Sequence, residues 1–303
     1  MSASPATPEP RAYLDQALRH ADVARLLGSA KRHVTPHPGG VVTWHEWGEG
    51  PPLLLLHGGF GSWLHWVRNI EALARHFRVL AADMPGLGES HAVAMEGQPT
   101  AADVAVPLLA GLNQLIGVET PVRLVAFSLG AVIGSQVALG LGERLVMAVL
   151  IGPSGLGDLW RNSTTELVRR HPGMSEEERR ANVRHNLRYS MIARDEAIDE
   201  MALDIQIDLT RQKRRLLGLP ISLSNALVDA IPQLMPRLAI IWGEHDCYMN
   251  PDVRGAVAEL SRRLPGLPVR IIADVGHWAA YEAAAEVNHM LLEFLLSRRI
   301  VKE

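Results

Sequence analysis

Thiol chemistry is nearly absent from this chain. Cys247 is its single cysteine, which excludes an intramolecular disulfide and a thiolate metal cluster and suits a reducing, cytoplasmic compartment. No uninterrupted apolar run reaches the roughly 18 residues that would suggest a membrane span; the longest runs are broken by glycine, proline or charge. The opening "MSASPATPEP" has neither a basic n-region nor an apolar h-region, so it reads as a disordered lead-in and not as a secretory signal. Charge of one sign is missing too. With Lys+Arg 30 against Asp+Glu 33, the formal charge of −3 gives no reason to expect nucleic acid or an anionic membrane as partner. No internal repeat occurs. What is present is the composition of a globular protein, 48% hydrophobic and 21% charged, and 303 residues can bury a substantial core as one large α/β domain or two small ones.

Residues 11 to 28 place Leu14, Leu18 and Ala21 at helical spacing and finish on Gly28, so an amphipathic helix closes an N-terminal extension of residues 1–30. The pattern then alternates. "VVTWHEW", "LLLLH" and "RVLAAD" read as strands, with "WLHWVRNIEALARHF" and "AADVAVPLLAGLNQLIG" as helices between or after them. "VRLVAF", "VMAVLIG", "RLAIIWG" and the weaker "VRIIAD" follow as short apolar runs of the kind buried parallel strands require. Such recurrence predicts an α/β fold with a mostly parallel central sheet and helices on both faces. Between residues 155 and 231 strand signals vanish and charged helical stretches take over, which predicts a helical lid. Pro232 and Pro236 mark the return, giving a core of 31–154 and 232–303.

In "VAFSLGA", Ser128 follows a buried strand directly. A strand-to-helix turn that exposes a nucleophilic serine tolerates only small residues two places either side, and Ala126 and Gly130 meet that need, although Ala126 stands where G-x-S-x-G has glycine. A hydroxyl at pH 7 is a poor nucleophile and needs a base, oriented in turn by a third group. His277, in "ADVGHWAAYE" just after the last strand, is the candidate base. Asp246, in "WGEHDCYMNPD" after another strand, is the candidate acid; a helix cap near Pro251 is the competing role for it, one that Asp252 or Asn250 could equally fill. Nucleophile, acid and histidine then fall in the chain order of α/β-hydrolases. The glycine turn in "LLLLHGGFG" could present backbone N–H groups to a developing oxyanion, with Gly59 and Phe60 as donors from that side and Leu129 from the other.

From about Val41 onward the chain resembles the α/β-hydrolase superfamily through "HGG", "DMPGLGES", "AFSLG", "WGEHD" and "GHW". The resemblance implies that Asp83 and Ser90 shape a loop and take no catalytic part. Serine at position 128 separates the chain from the dehalogenase and epoxide hydrolase branches, which carry aspartate there. "GHWAAYEAAAEVN" and the "RNI" at Arg68 look like the meta-cleavage-product hydrolases, which cut a carbon–carbon bond in vinylogous diketones. That branch has asparagine before the serine, where this chain has Phe127, and a glycine-proline-glycine turn where this chain has Phe60 to Ser62. It also holds the substrate carboxylate with a lid arginine, for which Arg184 and Arg188 lie on one helix face, with Arg161, Arg194 and Arg211 as alternatives.

The expected activity is cofactor-independent serine hydrolysis of a carboxylic ester of a small apolar molecule, with carbon–carbon hydrolysis second. An acyltransferase, a lyase or a non-hydrolytic ligand-binding protein on the same fold stays open. Phe127, Trp63, Trp66, Trp160 and Trp278 are the candidates for an apolar pocket. No metal site is expected, because "HVTPH" (His33 to His37) is interrupted by proline and shows no partner carboxylate. The expected partner is a small-molecule substrate, and a homodimer is compatible with the sequence.

Overall fold

The computed structural model describes residues 14–161, 166–169, 171, 173–211 and 218–297. The lead-in expected to be disordered lies outside the described residues. The strands are β1 (Lys31–His37), β2 (Gly40–Trp47), β3 (Pro52–Leu56), β4 (Arg78–Ala82), β5 (Val122–Phe127), β6 (Leu145–Ile151), β7 (Leu238–Gly243) and β8 (Val269–Ile272). The helices are α1 (Ala21–Ser29), α2 (Ile70–Ala74), α3 (Ala101–Ile116), α4 (Leu129–Leu141), α5 (Glu176–Ser190), α6 (Glu200–Arg211), α7 (Gly218–Ser222), α8 (Ala226–Leu234), α9 (Val253–Arg263), α10 (Ala279–Glu282) and α11 (Ala284–Leu296). Among the described residues, no helix is long and apolar enough to cross a membrane.

The strands form one sheet in the order β1-β2-β4-β3-β5-β6-β7-β8, with β1, β2 and β4 successively antiparallel and all later pairings parallel. Because side chains alternate along a strand, the leucine run of β3 serves both faces: Leu54 and Leu56 join one core cluster, Leu53 and Leu55 the other. β5 divides likewise, Leu124 and Ala126 facing α4 while Val125 and Phe127 face the tryptophan-rich side.

Four local features depart from the sequence reading. β1 is a strand despite Pro36, since an edge strand can carry a residue with no N–H to give, and its His33 does find a carboxylate, Glu46, at 2.8 Å. The N-terminal helix breaks at His20 (φ −83°, ψ 124°), leaving a 3-10 turn at Ala17–Arg19 ahead of α1. The helix expected over 63–77 is a 3-10 turn at Trp63–Trp66 followed by the short α2. Finally, Pro232 lies inside α8, and α8 buries Leu227, Ile231 and Leu234 against α4, so the return to the core comes before this proline. Apolar burial there outweighs the hydrogen bond that proline cannot make.

The inserted helices are anchored to the N-terminal segment. The buried carboxylate of Asp208 in α6 accepts hydrogen bonds from the backbone N–H of Asp15 (2.9 Å) and Ala17 (2.8 Å). One turn earlier, Asp204 bonds His20 at 2.9 Å and Arg180 of α5 at 2.6 Å.

Candidate active site

Ser128 sits between β5 and α4 with φ 53° and ψ −119°, a backbone conformation that costs a non-glycine residue about 1–3 kcal/mol and persists only where its surroundings impose it. Its N–H donates to the Ile151 carbonyl (3.0 Å), and its own carbonyl accepts from Ala131 (2.9 Å). Position 130 must be glycine, since a Cβ there would lie 2.3 Å from the His57 carbonyl oxygen. Position 126 need not be. The Ala126 methyl faces Gly134 one turn further along α4, where an added Cβ would come within 3.1 Å of it. The glycine missing from the strand is supplied by the helix packed against it.

β7 and β8 bring the other two groups to the same end of the sheet. His277 Nδ1 lies 2.7 Å from Asp246 Oδ2, and its Nε2 lies 2.9 Å from Ser128 Oγ. A carboxylate only accepts, so Nδ1 carries the proton and Nε2 is left to accept from the serine hydroxyl. The second oxygen of Asp246 accepts from Tyr248 N–H at 3.0 Å. Asp252 caps α9 instead, its Oδ1 accepting from Gly255 N–H at 2.8 Å. Asp246 and His277 are buried, while Ser128 is partly exposed. Gly152 closes the back of this chain: it has φ 48°, and a Cβ would stand 3.0 Å from both Asp246 Oδ2 and His277 Nδ1.

The turn after β3 reaches the other side of Ser128. There the Gly58 N–H donates to His65 Nδ1 (3.1 Å) and the Gly61 N–H to the Gly58 carbonyl (3.2 Å). The amides of Gly59 and Phe60 lie between these two anchored positions. Leu129 is the first residue of α4, where an N–H has no partner within the helix and the helix dipole favours negative charge. His57 fixes the turn further, donating from Nδ1 to the Gly58 carbonyl (2.8 Å) and accepting from Met84 N–H at Nε2 (3.0 Å). The Asp83 carboxylate accepts from the N–H groups of Trp63 (3.0 Å) and Glu89 (2.8 Å), and Ser90 bonds the Asp83 carbonyl at 2.5 Å. This is the bonding of a loop frame.

Among the described residues, the aromatic side chains expected to line a pocket are buried. Trp63, Trp66 and Trp278 have no exposed surface and Phe127 only 1%, so they are core. Phe127 packs its ring 4.8 Å from that of His277 and 5.5 Å from that of His65. Trp160, also buried, stacks parallel on Tyr248 (5.6 Å), whose ring meets His277 edge-on at 4.6 Å. Arg188 pairs with Asp195, Arg194 with Glu282, Arg161 with the Cys247 carbonyl and Arg211 with Asp15; Arg184 is exposed. Arg188 and Arg194 border a cavity of about 350 Å³ that reaches Gly276 and His277 between the lid and the histidine loop.

Sequence reasoning passed over His65, Gly152 and Tyr248. Burial, with the neighbouring His57 and His277 adding to it, holds His65 well below the usual histidine range, so its ring is neutral and its Nδ1 free to accept from Gly58. One signal was available for Gly152: "IGPSG" places it directly at the end of a buried strand.

The model of the alpha/beta hydrolase family matches residues 53–290. Among curated relatives, the 2-hydroxy-6-oxo-6-phenylhexa-2,4-dienoate hydrolase of Burkholderia cepacia is 26% identical over 259 residues, 82% of this chain and 88% of that protein. The 2-hydroxy-6-oxononadienedioate/2-hydroxy-6-oxononatrienedioate hydrolase of Comamonas testosteroni is 28% identical over 262 residues, with the same two coverages of 82% and 88%. Among solved structures, naproxen esterase from Bacillus subtilis superposes with a TM-score of 0.73 at 20% identity, over 95% of this chain and 100% of that one. The meta-cleavage product hydrolase CumD from Pseudomonas fluorescens IP01 gives 0.62 at 21% identity, over 84% and 94%. The chain belongs to the alpha/beta hydrolase family.

Proposed function

We propose that this hydrolase cleaves a carboxylic ester of a small apolar molecule through an acyl-enzyme on Ser128, without a cofactor. The continuous contact Asp246–His277–Ser128, at 2.7 and 2.9 Å, carries the reading. As Ser128 Oγ attacks the carbonyl carbon, its proton passes to His277 Nε2 and the carbonyl oxygen becomes an oxyanion. The backbone N–H groups of Leu129 and of Gly59 or Phe60 stabilise that charge, each such donor being worth about 3–4 kcal/mol in the transition state. His277 then returns the proton to the departing alkoxide, which leaves as the alcohol. Water repeats the sequence on the acyl-enzyme, releasing the acid and restoring Ser128.

Carbon–carbon hydrolysis of a vinylogous diketone is the second reading, favoured by the names of the relatives, which are 25–28% identical. Weighing against it, four of the five lid arginines considered for a substrate carboxylate, Arg188, Arg194, Arg161 and Arg211, each hold a protein oxygen, while Arg184 is exposed. The test compares a panel of nitrophenyl esters with a dienoate diketone, in the wild type and in Ser128→Ala. We expect ester turnover that falls by about 10³-fold or more in the variant, with a fluorophosphonate labelling Ser128 in the wild type. Turnover surviving in Ser128→Ala sinks the nucleophile assignment, and preference for the diketone reverses the order of the two readings.

A further inference from the structure

Glu282, the last residue of α10, has a side chain with no exposed surface. Its Oε2 accepts from the N–H groups of Gly276 (2.7 Å) and Ala193 (3.0 Å); its Oε1 accepts from the N–H of Arg194 (2.8 Å) and from Arg194 Nε (3.2 Å). Gly276 immediately precedes His277, whereas Ala193 and Arg194 belong to the segment that leaves α5 within the lid. On the other side of the histidine, Trp278 N–H donates to the Met191 carbonyl at 2.7 Å. Both neighbours of His277 are therefore bonded to the same lid segment, one through Glu282 and one directly.

We propose that Glu282 is a positioning residue that sets the aim of His277 at Ser128 by bonding the histidine loop to the seated lid. The proposal rests on the Ser128–His277 reading of the site. Every group facing the two oxygens is a donor, so the site requires acceptors at both. A carboxylate supplies them, while a carboxamide of the same size would set its NH₂ against two N–H groups. A space-filling role would tolerate that exchange; a positioning role would not.

The experiment is Glu282→Gln in the full chain, followed by nitrophenyl ester kinetics, the rate of fluorophosphonate labelling and thermal melting. We expect a cooperative melt, with kcat and kcat/KM falling together by about 10–100-fold, as for a reacting group displaced by a fraction of an ångström to an ångström. Labelling slows in parallel. A Glu282→Gln protein with kcat within about twofold of wild type overturns the proposal. If that variant does not fold, Glu282→Asp takes its place, because it keeps both acceptors and the charge but withdraws them by one methylene from the N–H groups of Gly276, Ala193 and Arg194; several-fold loss of kcat at unchanged KM supports the role, and unchanged kcat overturns it. Ser128→Ala separates the two levels. Activity retained there overturns the nucleophile reading and this role with it, whereas activity lost there but kept in Glu282→Gln removes the positioning role alone.

Discussion

Phe127 and His65 show how one side chain can support chemistry it does not perform. Phe127 packs against the rings of both His65 and His277, and His65 holds the turn after β3 through the Gly58 N–H. Because burial depresses His65 in the folded protein, the unfolded chain binds a proton there at higher pH than the folded one does. The stability tied to its neutral ring is complete above the unfolded value near 6.5 and is lost as pH falls below it, at up to about 1.4 kcal/mol per pH unit. His37 is depressed by burial too and adds to the slope. Urea denaturation at pH 7.5 and 5.5 should show a smaller loss of stability in His65→Gln than in wild type, since only the wild type carries that proton uptake. At this scale the sequence was legible for Ser128, Asp246 and His277, the three side chains that the structure brings into hydrogen-bond contact. It was silent where a residue matters only through its neighbours: nothing near position 65 in the chain announces Gly58 or Phe127.

Single elements follow local rules until packing overrules them. The all-buried leucines of β3 and the alternating sides of β5 are what a two-sided core demands, and both could be read from apolar runs. β1 and α8 could not, because Pro36 and Pro232 argue locally against a strand and a helix whose stability comes from an edge position and from burial against α4. The lid shows the same dependence. Its α6 holds the N-terminal segment through Asp208, so Asp208→Ala strands the N–H groups of Asp15 and Ala17. We expect a loss of about 1–3 kcal/mol in urea denaturation, with faster proteolysis ahead of α1 and unchanged ester kinetics.

Over the whole molecule, long-range contacts join three parts of the chain that lie far apart in sequence. Arg68 in the core bonds Asp199 of the lid and the Tyr281 carbonyl (3.1 Å), and its guanidinium lies 3.8 Å from the centre of the Tyr281 ring, whose hydroxyl returns to Asp199 at 2.6 Å. Both charged side chains are a third or so exposed, which limits the pair to about 1 kcal/mol. Arg68→Met should therefore lower the melting temperature by roughly 2 °C and leave kcat alone, as a thermal scan beside ester kinetics will check. The sequence by itself determined the alternation of strands and helices and the small residues around Ser128, because each follows from periodicity or from sterics within a few residues, and it placed Ser128, Asp246 and His277 each just beyond a strand. Only the tertiary structure decided that Gly134 makes room for Ala126, that Asp246 and not Asp252 meets His277, that the tryptophans are core, and that Glu282 joins the lid to the histidine loop. Those outcomes depend on distances between segments up to 213 residues apart along the chain, as His65 and Trp278 are, and such distances exist only once the sheet has set its strand order.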